Sequence, residues 1–289
     1  MKKLSILYIV LAGVLWGTSP IFVNCFKPYG FTSMELAAIR NIVSAVAILV
    51  FVLIKDRKLL KAKPKEVLLF ILSGIFLYTP CATYYMAIQL TSPATAVVLM
   101  YIAPMIVMIV SVMFLGEKFT WLKGAAVVAV ILGCGLVTGI IGGMKFSLVG
   151  ILYGFASGLA YSAYNICVKI EMRRGNNATT ATVYCFLAAG LAAFICANPV
   201  SFVGAVKENM PQMIPLGLGI GLCTGIMPYF LYTLSLKRLP VGTASAMSSV
   251  EPLSATIFSV VLYNEVLGVQ GFIGVLLILA SVIMLSRED

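Results

Sequence analysis

The chain has 289 residues, of which 61% are hydrophobic and only 10% are charged. A soluble domain carries roughly a quarter charged residues, so lipid must be the solvent for much of this surface. The formal net charge is +10, which in a soluble protein would suggest a nucleic-acid partner. Here the cations stand in short segments between apolar runs, and that placement argues against nucleic acid.

Residues that commonly bind metals and cofactors are absent or unsuitably placed. The sequence contains no histidine, and its seven cysteines fall inside apolar runs without metal-ligand spacing. We therefore expect no cofactor, no metal site and no catalytic residues. No segment resembles a phosphate-binding loop, so we do not expect ATP to be the direct energy source.

Taken in chain order, ten apolar runs are each long enough for a helix across the hydrocarbon core, which needs about 20 residues. The first run is too long for a cleaved signal, so we expect it to be retained. The connections are short and leave no segment for a soluble domain. The sequence thus predicts an all-α integral membrane protein with ten transmembrane helices. Their approximate bounds are 4–26, 34–54, 66–89, 94–115, 120–141, 147–170, 179–199, 212–236, 242–263 and 267–286.

Lysine and arginine indicate the orientation, because cytoplasmic loops carry an excess of both. The loops on the side of the N-terminus hold most of the cations, including the stretch 55–65, whereas the other side holds only Lys27, Lys145 and Lys207. This asymmetry predicts that both termini are cytoplasmic in a multi-pass protein of the cell membrane. Nine or eleven spans would place Arg287 outside, so ten is the consistent number.

An internal repeat relates the two halves of the chain. When the second half of the sequence is aligned with the first half without gaps, prolines align with prolines and a glutamate aligns with a glutamate. Both residue types are costly within a span. The matched pairs include Pro80 with Pro228, Tyr84 with Tyr232, Pro104 with Pro252, and Glu117 with Glu265. Each half then contains five spans, so the halves insert in opposite orientations. We predict two inverted five-helix repeats, residues 1–141 and 147–286, with a substrate site between them near the midplane.

Short motifs in both halves resemble the EamA-type family of the drug/metabolite transporter superfamily, over essentially the whole chain. The motifs are Leu15-Trp16-Gly17-Thr18, Ala38-Ile39-Arg40, Leu115-Gly116-Glu117-Lys118, Val250-Glu251-Pro252-Leu253 and Tyr263-Asn264-Glu265. The chain departs from the pattern at Tyr161, where the family often has tryptophan. The resemblance implies a transporter whose spans one, three, four, six, eight and nine line the path. It also implies a leaning towards export of amino acids and related metabolites.

Two charged residues lie deep in predicted spans, where an unpaired charge is costly. Glu251 stands roughly 15 Å into span nine and follows Ser248. It could bind a cationic substrate group, carry a coupling proton, neutralise Arg40 or donate a hydrogen bond as a neutral acid. Arg40 lies at similar depth, after a capping box formed by Thr32 and Glu35. We expect Arg40 either to pair with Glu251 or with freed carbonyls, or to snorkel outward.

Aromatic residues and prolines complete the candidate site. Interior tyrosines could stack on apolar groups or hold an ammonium group by cation–π contact, although ordinary packing explains any single one. The expected substrate-binding residues are Trp16, Tyr84, Tyr101, Tyr161, Tyr232, Ser248 and Glu251. Prolines free backbone carbonyls and can act as hinges or as static bends. The candidate hinges are Pro80, Pro104, Pro228 and Pro252.

Glu117 and Glu265 occupy corresponding ends of spans four and nine. Each precedes the next helix by a few residues, so we expect it to accept hydrogen bonds from that helix's first backbone N–H groups. Gating through ion pairs is the alternative.

These features predict a secondary transporter, and by the family's leaning an exporter, of small metabolites such as amino acids or amines. The expected mechanism is alternating access, with a proton as candidate coupling ion. A passive facilitator of the same fold is the first alternative. A membrane-embedded lipid enzyme would need a catalytic cluster at the interface, for which the sequence offers no candidate, and a scaffold would not explain Glu251. The expected partners are a small-molecule substrate and membrane lipid, and both a monomer and a homodimer remain open.

Overall fold

A computed structural model describes residues 2–138, 147–196, 206–264 and 266–288. This part of the chain is helical and contains no strand, which confirms the all-α prediction. Ten helical units follow one another within it. In chain order they are α1 (Lys2–Trp16 and Ser19–Phe26), α2 (Ser33–Lys55), α3 (Pro64–Leu90), α4 (Pro93–Met100 and Ala103–Leu115), α5 (Trp121–Val137), α6 (Leu148–Arg173), α7 (Ala178–Cys196), α8 (Met210–Ile220 and Met227–Leu236), α9 (Val241–Met247 and Val250–Tyr263) and α10 (Val269–Glu288).

Nine of these units, within the described ranges, are long and apolar enough to cross a membrane. The exception is α5, an apolar helix of 17 residues. Part of its expected range, 139–141, lies outside the described residues. The structure therefore supports nine spans by length and composition, and the tenth stays a prediction.

Local chemistry sets several helix ends. At the start of α2, the Glu35 N–H donates to the Thr32 hydroxyl and the Thr32 N–H donates to the Glu35 carboxylate, which confirms the predicted capping box. α4 ends on Gly116 at φ +64°, and α9 ends on Asn264 at φ +53°. Both residue types tolerate the left-handed region. The two ends correspond under the shift found in the sequence.

Two helices are interrupted at corresponding places near the middle of the bundle. α4 breaks at residues 101–102 and α9 at residues 248–249, in each case shortly before a proline. Pro104 is the second residue and Pro252 the third residue of the segment that follows, where a missing backbone N–H leaves no hydrogen bond unmade. Pro104 and Pro252 thus each follow an interruption, and their role as hinges stays a prediction. Pro80, in contrast, lies inside the continuous helix α3.

α8 is interrupted by a π turn at Gly221–Ile226, shortly before Pro228. A π turn disturbs the regular helical pairing of the backbone, and the Ser44 hydroxyl of α2 donates to the Gly221 carbonyl at 2.8 Å. A side-chain carbon at Gly225 would overlap the Ser44 Oγ atom, so the approach of α2 requires glycine there. The sequence analysis did not anticipate this turn, which fixes α2 one helical turn from Arg40.

Helix packing mixes the two halves of the chain. α3 packs on α6 and α7, whereas α1 packs on α8 and α9. α2 packs on α7, and α5 packs on α10. In two five-helix repeats, α3 corresponds to α8 and α6 corresponds to α1. The α3–α6 contact therefore corresponds to the α8–α1 contact. The halves therefore interlock, and the core lies between them.

Cationic loops meet at one end of the bundle. Arg173 donates to the Leu115 carbonyl at 2.6 Å, Arg174 lies 3.4 Å from Glu66, and the Thr180 hydroxyl donates to the Leu59 carbonyl. We call this end the basic end; it comprises the loops 56–63, 116–120, 174–177 and 237–240.

The close approach of α3 and α7 yields a test of the packing. A side-chain carbon at Gly74 would overlap the Cys185 carbonyl oxygen and lie 2.6 Å from the Ala188 Cβ atom. Gly74→Ala should therefore destabilise the protein by about 1–3 kcal/mol, measured as a lower thermal unfolding temperature in detergent. Gly217→Ala is the matched control, because its nearest neighbours, on Val43 and Ile39, lie at 3.8 and 3.9 Å. Equal unfolding temperatures for the two variants would contradict the packing.

Candidate functional site

A large cavity lies in the middle of the bundle, with a volume of about 880 Å³. Sites for small molecules usually span roughly 300–1,000 Å³, so the space suits a metabolite. All described units except α7 contribute to its wall. The wall extends to Thr138 and to the segment 266–271, at the end opposite the basic end. The described loops of the basic end contribute nothing to the wall, so the cavity opens at the opposite end.

Most of the residues expected to bind substrate lie in this wall. Trp16, Tyr84, Tyr101, Tyr161, Ser248 and Glu251 line it, as do Arg40 and the prolines Pro80, Pro104 and Pro252. These residues come from six different helical units. The structure therefore brings together groups that are far apart in the sequence.

Tyr232 and Pro228 stand apart from this set. Tyr232 is fully buried behind the wall, because its position on α8 directs it towards α6. Its hydroxyl donates to the Asn165 side-chain oxygen, and its ring lies 5.8 Å from that of Trp16. Tyr232 thus supports the wall from behind. Pro228 is also buried and does not line the cavity.

The interruption of α9 places Glu251 at the cavity. Ser248 and Ser249 turn their hydroxyls back onto the carbonyls of Ser245 and Ala246, at 2.6 and 2.7 Å. Glu251 then occupies the first turn of the segment Val250–Tyr263. The N-terminus of a helix carries a partial positive charge, which favours a carboxylate there. Glu251 is only partly buried and faces the open space.

Hydroxyl groups surround the same carboxyl group. The Tyr101 hydroxyl, from the interruption of α4, lies beside the Glu251 carboxyl group. The Tyr161 hydroxyl of α6 lies beside Ser248. Polar donors from three helices therefore gather at one side of the cavity, around its acid.

Arg40 faces the same cavity from α2 and is held by an unexpected partner. Its guanidinium donates to the Cys81 sulfur at 2.8 Å. No ion pair joins Arg40 to Glu251 in the described part of the chain, although the two charges lie within electrostatic reach. The expected direct pair is therefore absent from this structure, and Arg40 points into the bundle instead of snorkelling outward. The sequence analysis missed Cys81, whose signal was its place directly after Pro80, one turn before Tyr84.

Two buried donors at the wall lack a protein acceptor. The indole N–H of Trp16 and the Nε–H of Arg40 have no hydrogen-bond partner among the described residues. A buried donor left without an acceptor costs about 1–3 kcal/mol. The Trp16 ring is fixed edge-on against Tyr229, with ring centroids 4.9 Å apart. The wall therefore presents donors ready for an acceptor that enters the cavity.

The basic end is closed by Glu117. Its carboxylate accepts hydrogen bonds from the N–H groups of Val241 and Gly242, at 2.8 and 3.4 Å. These groups begin α9, so the expectation that Glu117 caps a helix is met at a different helix. The next helix, α5, is capped by Thr120 instead, which accepts from the Lys123 N–H. Glu265, the corresponding acid, lies outside the described residues.

Lys169 reinforces this closure from α6. Its ammonium group donates to the Leu236 carbonyl at 3.0 Å and to the Leu239 carbonyl, and it lies 3.9 Å from Glu117. The segments Ala103–Leu115 and Val241–Met247 pack together at this end. The other segments of α4 and α9 make no comparable contact within the described residues. The two interrupted helices are therefore joined at the basic end and separated at the opposite end.

Comparisons with known proteins identify the family of this chain. The model of the EamA-like transporter family matches residues 3–139 and again residues 148–287. An uncharacterized transporter of Archaeoglobus fulgidus is 29% identical over 97% of this chain and 95% of its own length. The uncharacterized transporter YwfM of Bacillus subtilis is 23% identical over 97% of this chain and 93% of its own. Protein RarD of Salmonella typhimurium is 22% identical over 91% of this chain and 88% of its own.

A solved crystal structure shares the fold. It superposes with a TM-score of 0.76 at 21% sequence identity, over 97% of this chain and 95% of the other. Together with nine membrane-length apolar helices in the described part, these similarities identify a multi-pass membrane protein. In a bacterium such a protein lies in the plasma membrane.

The closure at Glu117 can be tested by its contribution to stability. Glu117→Gln removes the negative charge of a carboxylate that accepts hydrogen bonds from two backbone N–H groups and faces Lys169. Charged hydrogen bonds contribute about 1.5–3 kcal/mol each, so the variant should unfold at a clearly lower temperature in detergent. The control is Glu66→Gln at the same end, since Glu66 pairs with a half-exposed Arg174 and exposed pairs contribute about 0–1 kcal/mol. An effect of Glu117→Gln no larger than that of the control would argue against the closure.

Proposed function

The chain belongs to the EamA-like transporter family, and on that premise we propose that it carries small zwitterionic metabolites, such as amino acids, by alternating access. That it is a membrane transporter of the drug/metabolite type follows from the family and the relatives. The substrate class, the direction and the mechanism are our proposal. The observation that carries it is the pair of opposite charges, Arg40 and Glu251, which share one cavity without pairing.

A zwitterion would complete this site. Its ammonium group would bind Glu251, beside the hydroxyls of Tyr101 and Ser248. Its carboxylate would accept from the Arg40 guanidinium and from the unpartnered indole N–H of Trp16. Charge-assisted hydrogen bonds of this kind are roughly twice as strong as neutral ones. An amine without a carboxylate would satisfy only the acid and leave the donors unmatched.

The cavity wall also limits the side chain of the substrate. Tyr84, Tyr85 and Tyr161 line the wall, and their rings provide apolar surface for an apolar side chain of the substrate. The volume of about 880 Å³ exceeds that of one amino acid and leaves room for water. Selection therefore rests on the two charges more than on shape.

We propose that all ten units span the membrane, with α5 as the tenth, and that both termini are cytoplasmic. A helix of 17 residues reaches the lower limit for a span, about 17–25 residues. The double match of the family model and the corresponding ends at Gly116 and Asn264 support two five-helix repeats, 1–141 and 147–286. The cationic loops at the basic end support a cytoplasmic position for that end.

In this orientation the structure is open to the outside and closed to the cytoplasm. Transport would then require that α4 and α9 part at the basic end and meet at the opposite end. The interruptions before Pro104 and Pro252 provide corresponding places for that movement. Export, towards which the family leans, would load the substrate in the state that is open to the cytoplasm.

Substrate binding can be followed through tryptophan fluorescence. The chain has two tryptophans, and Trp121 is 87% exposed at the surface whereas Trp16 lines the cavity. In a Trp121→Phe background, a bound amino acid should change the fluorescence of Trp16. Glu251→Gln and Arg40→Gln should each weaken that binding by roughly tenfold or more, since a charged hydrogen bond contributes about 1.5–3 kcal/mol.

The ligands supply the matching controls. An amine lacking a carboxylate should be insensitive to Arg40→Gln, and a carboxylic acid lacking an amine should be insensitive to Glu251→Gln. Glu208→Gln, at an exposed position, should leave every titration unchanged. If neither Glu251→Gln nor Arg40→Gln weakens the binding of amino acids, the proposed zwitterion site is refuted.

Proteoliposomes separate coupled transport from passive facilitation. If Glu251 carries a coupling proton, a pH gradient should accumulate substrate in wild-type vesicles above equilibrium, and Glu251→Gln should retain at most exchange. Counterflow of labelled substrate is measured in the same vesicles as the control for active protein. Counterflow without accumulation in the wild type would favour the facilitator.

A further inference from the structure

A second acid, Glu171, lies inside the bundle on α6. The apolar run that marks the sixth predicted span ends at residue 170, so the sequence predicts a loop at Glu171. The helix instead continues to Arg173, and Glu171 is fully buried, with 0% of its surface exposed. Neither of its carboxyl oxygens has a hydrogen-bond partner among the described residues. No step of the proposed transport uses this group.

Nearby cations are directed elsewhere. Lys169 binds the carbonyls of Leu236 and Leu239, and Arg173 donates to the Leu115 carbonyl. Arg174 lies 3.4 Å from Glu66. Successive helix residues are about 100° apart around the axis, so Glu171 points away from the face that carries Lys169 and Arg173. No ion pair of Glu171 occurs in the described ranges.

The groups that do face Glu171 are uncharged or acidic. Ser73 of α3 lies beside its carboxyl group, and its hydroxyl donates to the Phe70 carbonyl. The titratable neighbours are Glu66 of α3, Cys185 of α7, Tyr229 of α8, and Cys167 and Tyr164 of α6. A bare carboxylate in such a place is costly by several kcal/mol, because no cation or donor replaces its water. A carboxylic acid is far less costly there.

A small cavity connects Glu171 with the aromatic wall of the large one. Its volume is about 10 Å³, close to the space that one water needs. Glu171, Cys185, Thr233 and Tyr229 are among its lining residues. Tyr229 also lines the large cavity, near Arg40. Tyr229 therefore borders both the small cavity at Glu171 and the large cavity that holds Glu251.

We propose that Glu171 is a second proton-binding site of the transporter, on the basic-end side of Tyr229. While the basic end is closed, a hydronium ion gives its proton to one carboxylate oxygen, which forms an O–H bond and leaves a water molecule. Opening of that end would hydrate the group, and the proton would pass to a water molecule on the cytoplasmic side. Glu251 and Glu171 would then hold protons on the two sides of Tyr229. Only the coupling role rests on the proposed transport function; proton binding itself does not.

The first test needs no substrate. If folded protein holds a proton on Glu171, the native state binds more protons than the unfolded state, and stability falls as the pH rises. The unfolding temperature in detergent should therefore fall more steeply with pH in the wild type than in Glu171→Gln. Glu208→Gln, at an exposed position, should keep the wild-type slope. Equal slopes for the wild type and Glu171→Gln would overturn the proposal.

Infrared spectroscopy of the wild type provides a second measurement that holds even if Glu171→Gln folds poorly. A protonated carboxyl group shows a carbonyl stretch that shifts on transfer to D₂O. This band should be present in the wild type and should change in Ser73→Ala, which alters the surroundings of Glu171. A band that Ser73→Ala and Glu171→Gln both leave unaltered would overturn the assignment.

Proteoliposomes test the coupling role separately. Glu171→Gln should lower pH-driven accumulation about fivefold or more, the usual size of a coupling effect, while counterflow stays near the wild-type rate. If Glu171→Gln accumulates as much substrate as the wild type while the other measurements confirm a proton on Glu171, then Glu171 is only a structural acid. That result would refute its role in proton coupling. Absence of counterflow in the wild type would refute the transport proposal instead, and leave the stability and infrared results standing.

Discussion

Hydrocarbon offers no hydrogen-bond partner, and this constraint decides where every polar group of the bundle lies. Most buried hydroxyls satisfy it locally: Thr182 and Thr233 donate to the carbonyls of Ala178 and Tyr229, four residues earlier. Groups without such a local solution must face other helices or an internal space. Arg40, Glu251 and the Trp16 indole line the central cavity for this reason, and we propose that a polar substrate binds there.

The same constraint applies to the backbone where helices are interrupted. α9 has two N-terminal ends, one at Val241 and one at Val250, and an acid lies at each. Glu117 accepts a hydrogen bond from the backbone N–H of Val241, at the first of these ends. Glu251 occupies the first turn of the segment that begins at Val250. Because both ends belong to α9, a rigid movement of that unit would change the closure at the basic end and the position of the cavity acid together. The alternating access that we propose would then involve both ends of a single element.

The all-α fold could be predicted from the sequence, since apolar runs leave a local signal, and most of the residues predicted to bind substrate lie in the cavity wall. The capping box at Thr32 was readable in the same way. Contacts between distant segments were not: Cys81 beside Arg40, Glu117 on α9 and the π turn held by Ser44 depend on how helices cross. Glu171 was missed because the helix extends three residues beyond the apolar run that marked its span.

Arg40 and Glu251 stay apart because backbone geometry, not mutual attraction, fixes each of them. Ser44 secures α2 to the π turn, and the serines at the interruption of α9 orient Glu251. Cys81 accepts one hydrogen bond from the guanidinium, but a thiol is a weak acceptor and leaves the positive charge uncompensated. A direct ion pair would have to be broken before a zwitterion could enter, at a loss of binding free energy. We propose that the separated pair binds a ligand that carries both charges.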